Sequence, residues 1–165
     1  HREQQITDTA ELDRILTEAL YATLSMCDGD RPYLVTISHG YDRERRCLYF
    51  HSAPKGRKLD VLAANPRVYG QALIDLGYLH GACDHLYKTV NFEGVVTLVT
   101  AVDEKRHALE VMIRQLERDP DPVIRKLTTD RRIAGRSFGA VGRCGCRHGR
   151  VIGQPAGRRA PAASE

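Results

Sequence analysis

The chain has 165 residues, 42% of them hydrophobic and 28% charged, which suits one globular domain with a continuous core. No apolar run approaches the roughly 18 residues that a membrane helix needs. The net charge of +4 is uneven: residues 134 to 165 hold six Arg against one Glu, a net +5, leaving −1 for residues 1 to 133. The body therefore lacks the basic field of a nucleic-acid binder, and neither a nucleic acid nor a membrane is expected as a partner.

The sequence opens without a charged-then-apolar leader, so a cytoplasmic location is expected. The five cysteines agree with a reducing compartment, because Cys27, Cys47 and Cys83 lie in apolar or loop contexts where free thiols are common.

Asp8 or Thr9 caps a first helix with Glu11 in its first turn, and Leu12, Ile15, Leu16 and Ala19 make its apolar stripe. Tyr21 to Met26 alternates as a strand, Asp28-Gly29-Asp30 is a tight-turn signal, and Pro32 to Ser38 returns. A second hairpin link over Tyr41 to Arg46 leads to a third strand, Cys47 to Phe50. Three short strands joined by turns favour an antiparallel barrel over a βαβ dinucleotide fold, and neither G-x-G-x-x-G nor G-x-x-x-x-G-K-[ST] occurs.

The third strand breaks at Pro54 and Gly56 and re-forms as a helix with Leu59, Leu62 and Ala63 on one face, stopped by Asn65-Pro66. At this joint stand His51, Ser52, Lys55, Arg57 and Lys58, with no acidic residue until Asp60. A helix start offers unpaired N–H groups and partial positive charge, and three added cations suit a phosphate.

Val68 to Leu76 reads as a fourth strand, Gly77 to His85 as a loop, and Tyr87 to Val99 as a long strand with a bulge or close approach at Gly94. Asp103 to Arg106 opens a helix with Ala108, Leu109, Met112, Ile113 and Leu116 on its apolar face. Asp119-Pro120-Asp121-Pro122 breaks it before a further turn from Val123 to Leu127. Residues 134 to 165, rich in Gly, Arg, Ala and Pro, read as a basic tail following the domain over 1 to 133. Cys144, Cys146 and His148 crowd three ligand types into five residues without a second cluster, so no metal site is expected.

The words Tyr-Phe-His-Ser-Ala-Pro-x-Gly-Arg-Lys-Leu-Asp, then Asn-Pro-x-Val, resemble the flavin-binding split-barrel family related to pyridoxamine 5′-phosphate oxidase, in its nitroimidazole-reductase-like branch. The resemblance covers roughly residues 5 to 118 and implies a mainly β, antiparallel Greek-key split barrel with peripheral helices. It implies an FMN cofactor whose phosphate meets Phe50, His51, Ser52, Lys55, Gly56, Arg57 and Lys58. The backbone of Val35, Thr36 and Ile37 would meet the ring edge. Tyr87, Thr89 and Val90 match the family strand that reaches the flavin, and would serve the partner's site in a homodimer with flavin at the interface. The implied function is an FMN-dependent oxidoreductase of flavin-reductase or nitroreductase type, passing electrons from NAD(P)H to a small organic acceptor. The alternative is a non-catalytic flavin, haem or deazaflavin binder on the same barrel.

The sequence assembles no acid–base or nucleophilic constellation. Two departures from the family stand out. Thr36, Ser38 and His39 replace the Pro, Asn and large apolar or aromatic residue usual beside the flavin. The expected last barrel strand is also missing from residues 134 to 165, leaving an edge that needs cover from the tail or a second subunit.

Overall fold

The computed structural model describes residues 5–6 and 8–152, with the side chains of residues 5 and 143–152 excepted. The elements in chain order are β1 (Gln5–Ile6), α1 (Thr9–Glu18), β2 (Tyr21–Asp28), β3 (Arg31–Ser38), β4 (Gly40–Asp42), β5 (Cys47–Ser52) and α2 (Arg57–Ala64). They continue as β6 (Arg67–Leu79), β7 (Asp84–Val99), α3 (Val102–Leu116), α4 (Pro120–Leu127), α5 (Asp130–Ala134) and β8 (Ser137–Ile152).

Every strand pairing is antiparallel, in the order β3-β2-β6-β7-β8-β5-β4 with β1 beside β8. The sheet curls without closing: β3, at one end of the order, comes near β5 but forms no ladder with it. That unpaired seam is the split of a mainly β split barrel with peripheral helices.

The concave side is filled by Leu24 and Met26 from β2, Leu48 and Phe50 from β5, Val90 and Phe92 from β7, and Val141 from β8. α1 joins this core through Leu12, Ile15 and Leu16; its start is fixed by Asp8, whose Oδ1 accepts the Ala10 N–H at 3.0 Å. On the other side of β5, Cys47 and Tyr49 pack with α3 (Ala108, Leu109, Met112, Ile113) and with Ile133 and Phe138. β5 is thus covered on both faces, which explains its unbroken apolar run.

Several sequence expectations need correction. Residues 134 to 165 do contain the barrel's last strand: β8 pairs with β7 from Val99↔Phe138 to Tyr87↔Ile152 and with β5 from Leu48↔Val141 to Ser52↔Ser137. Its poverty in aliphatic residues has a steric cause. A Cβ at Gly139 would lie 2.3 Å from the Phe50 ring, and β5 supplies the volume that β8 omits. The same exchange pairs Gly70 with Phe92. At Gly94 both expected features occur, a register shift between Glu93 and Val95 and a close approach to Val141.

The segment read as a loop from Gly77 to His85 is mostly strand, since β6 runs to Leu79 and β7 starts at Asp84. In α2 the buried residues are Val61 and Leu62, while Ala63 is exposed. Prolines begin α4 rather than only ending α3, because a first-turn proline forfeits no helical hydrogen bond. The side chains of Cys144, Cys146 and His148 lie outside the described residues.

Candidate cofactor site

The β5–α2 connection lies against β3 across the seam. Gly56 precedes α2 at φ 140°, a conformation open to glycine, and no side chain caps the helix. Tyr33, Val35 and Thr36 on β3 face Ser52, Lys55 and Lys58 across a groove of about 340 Å³ that Ala53, Gly56 and Arg57 complete. Because β3 is terminal in the strand order, one of its backbone edges has no strand partner among the described residues.

The cations play different parts. The Arg57 guanidinium is held by Asp28, with Nη2 and Nε at 3.0 and 3.2 Å from Oδ2, and stands over the Tyr33 ring at 4.6 Å. It ties α2 to the β2–β3 hairpin; the sequence reading took Asp28 only as a turn residue and gave Tyr33 no role. The half-buried Lys58 places Nζ 5.3 Å from the Phe50 ring centre, and burial lowers its pKa. Lys55 is exposed on the rim.

Of the other expected residues, Ser52 lines the groove and its hydroxyl donates to the Ala53 carbonyl at 3.0 Å. His51 lies just outside, its ring 6.5 Å from that of Phe138, and its pKa is lowered by burial, then by the positive charges of Arg136 and Lys58. The Phe50 side chain is fully buried in the barrel, and Ile37 is buried there too. Tyr87, Thr89 and Val90 lie on β7, apart from the groove lining; Val90 is in the core and Thr89 is buried. His39 is not near the groove. It is fully buried, with Nε2 2.9 Å from the Leu16 carbonyl at the end of α1, a donor position that sequence proximity to β3 could not reveal.

A polar cluster behind β5 escaped the sequence reading. Tyr49 donates to Glu104, Arg45 pairs with Glu104 at 2.6 Å, and His107 meets Asp42 at 2.6 Å. It joins α3 to the β4–β5 turn. Cys47 beside it is no ready nucleophile, since burial first, then Asp42, pushes its thiol up to about 11.

A larger hollow of about 630 Å³ lies on the outer face of β2, β6 and β7, where Arg67 is accompanied by Glu93 and Tyr69. It lacks the cluster of cations that lines the seam groove. No helix among the described residues is long and apolar enough to cross a membrane.

A family model described as pyridoxamine 5′-phosphate oxidase matches residues 8–138. No curated protein sequence matches the chain. Among solved structures, a candidate 5-nitroimidazole antibiotic resistance protein from Bacteroides thetaiotaomicron is similar at 25% identity and TM-score 0.73, over 89% of this chain and 86% of that one. A FAD and heme binding protein from Mycobacterium smegmatis has 18% identity and TM-score 0.74, over 94% and 77%. A flavocytochrome from Azotobacter vinelandii has 14% identity and TM-score 0.74, over 93% and 71%. The last two likenesses concern the fold alone. With the family model spanning most of the chain and the split sheet formed as its motifs imply, the chain belongs to the pyridoxamine 5′-phosphate oxidase-like split-barrel family.

Proposed function

We propose that this protein binds FMN in the seam groove and acts as an FMN-dependent oxidoreductase. The observation that carries the reading is the groove itself, with Lys55, Arg57 and Lys58 at an uncapped helix start opposite β3, whose edge has no strand partner among the described residues. Lys58 and Lys55 would hold the phosphate with the Ser52 hydroxyl and the first N–H groups of α2. Arg57 would act mainly through Asp28 and Tyr33, keeping the turn in place. The edge of β3 at Val35, Thr36 and Ile37 would meet the ring system. Bound FMN would supply redox chemistry between NAD(P)H and a small organic acceptor, while these residues of the chain would bind and orient it.

A homodimer fits the same reading. Leu34 is 64% exposed, Tyr69 48% and Val95 47%, and the strand register sets them on one outer face beside the groove. A second copy there would cover apolar surface and bring Tyr87 of its β7 toward the flavin, whereas Thr89 and Val90 are buried within their own protomer.

A dinucleotide flavin is the second reading, favoured by neighbours described as FAD-binding from Mycobacterium smegmatis and Mesorhizobium loti. Purified protein separates the two. Denaturation should release a yellow chromophore that co-elutes with FMN, and the intact protein should bleach on adding NAD(P)H. Co-elution with FAD selects the second reading; a haem band, or no chromophore and no uptake of added flavin, refutes both.

A further inference from the structure

At the β2–β3 turn end of the groove, three residues build a platform. The Arg57 guanidinium lies over the Tyr33 ring, 4.6 Å from its centre, and both residues line the groove. Asp28 holds the guanidinium from the turn, taking Nη2 at 3.0 Å and Nε at 3.2 Å on one oxygen, Oδ2. Two bonds to one carboxylate fix the orientation of a planar guanidinium as well as its position, which the point charge of a lysine would not allow. Tyr33 is seated in turn, packing against the barrel core and pairing across the hairpin with the buried Met26.

The platform is held without being covered. The Arg57 side chain is 59% exposed although it has a carboxylate beside it and a ring beneath it, so its side away from Tyr33 is open. The Tyr33 hydroxyl and Asp28 Oδ1 have no hydrogen-bond partner among the described residues. At 3.3 Å per residue, Tyr33 stands about 10 Å along β3 from Thr36, too far for one ring system on Val35 to Ile37 to cover it. A fixed cation plane over an aromatic ring is a surface on which a nucleobase stacks, and a carboxylate oxygen beside it suits an amine or ribose hydroxyl donor.

We propose that Arg57, Tyr33 and Asp28 form a stacking subsite for an adenine base. Arg57 offers its open side to the purine, and Asp28 Oδ1 accepts from the exocyclic amine or a ribose hydroxyl. The base belongs to a dinucleotide flavin or to the nicotinamide reductant. That choice of bearer rests on the flavin reading; the subsite itself does not.

The test uses the full chain, with thermal melts confirming that Tyr33→Leu and Arg57→Lys are folded. The probes are AMP and ribose 5-phosphate, which lacks only the base, so the ratio of their affinities reads the subsite and cancels any loosening of the turn. AMP should bind the parent roughly five- to hundredfold tighter than ribose 5-phosphate, and both variants should lose most of that preference. Tyr33→Phe, which keeps the ring, should retain it. Equal affinities in the parent overturn the subsite, as do variants that weaken the two probes in equal proportion, the result of a purely structural clasp. FAD binding tighter than FMN to the parent but not to Tyr33→Leu assigns the base to the flavin. FAD and FMN binding alike, with NADH weakened on FMN-loaded Tyr33→Leu, assigns it to the reductant. An AMP preference without uptake of any flavin leaves the subsite standing and removes the flavin reading; flavin uptake without an AMP preference does the reverse.

Discussion

Gly139→Ala tests the strand that the composition conceals. A Cβ at this position would stand 2.3 Å from the Phe50 Cζ and 2.7 Å from Cε1. Phe50 is fully buried in one core cluster with Leu48, Phe92 and Val141. Such overpacking costs about 1–3 kcal/mol, which for a domain of this size lowers Tm by roughly 3–10 °C. Gly142→Ala is the control on the same strand, because nothing lies within 4 Å of its Cβ and its φ is not positive. It should be neutral within about 0.5 kcal/mol. Urea unfolding of both variants, with Phe50→Leu/Gly139→Ala as the compensating pair, reads the difference. The double variant should recover part of the loss through coupling between the two sites. Equal effects of the two glycine substitutions would refute the β5–β8 packing.

Gly40→Ala should also destabilise by about 1–3 kcal/mol in urea melts, because its Cβ would stand 2.6 Å from the Met112 backbone nitrogen of α3, which cannot swing aside. His39 is fully buried with Nδ1 unpartnered among the described residues, and burial lowers its pKa below the ordinary 6.5. The unfolded chain therefore takes up a proton near pH 6.5 that the folded chain refuses, and stability falls as the pH drops below that value. The His39 contribution has a slope of at most about 1.4 kcal/mol per pH unit. His39→Gln, which retains a donor for the Leu16 carbonyl, should flatten unfolding stability between pH 6.5 and 5.5; a slope equal to the parent's contradicts this. Lys58→Ala should weaken FMN roughly tenfold or more with riboflavin unaffected, while Arg57→Ala should weaken both, since it loosens the turn from Asp28 and Tyr33. Equilibrium titrations with the two flavins distinguish these outcomes.

Local signals were legible where one element decides its own form. The 3.6-residue stripe of α1, its Asp8 cap and the Gly56 break before α2 are each written in a few adjacent residues. The cations of the turn could be read the same way, and the groove does gather Ser52, Lys55, Gly56, Arg57 and Lys58 opposite Val35 and Thr36. What depends on distant partners was not legible. β8 looks like a tail because its volume is supplied by Phe50, 89 positions before Gly139, and a composition count registers only the missing aliphatics. Arg57 looks as free as Lys58 until the β2–β3 hairpin brings Asp28 to it. His39 follows β3 directly, yet the fold turns it onto the end of α1.

The most direct measurement is the affinity of the parent protein for FMN against riboflavin, which differ only in the phosphate. At least two charge-assisted contacts of about 1.5–3 kcal/mol each would make FMN bind more than about a hundredfold tighter, with the advantage shrinking as salt rises. Equal affinities, independent of salt, would contradict the claim that the basic seam of this barrel exists to hold a phosphate.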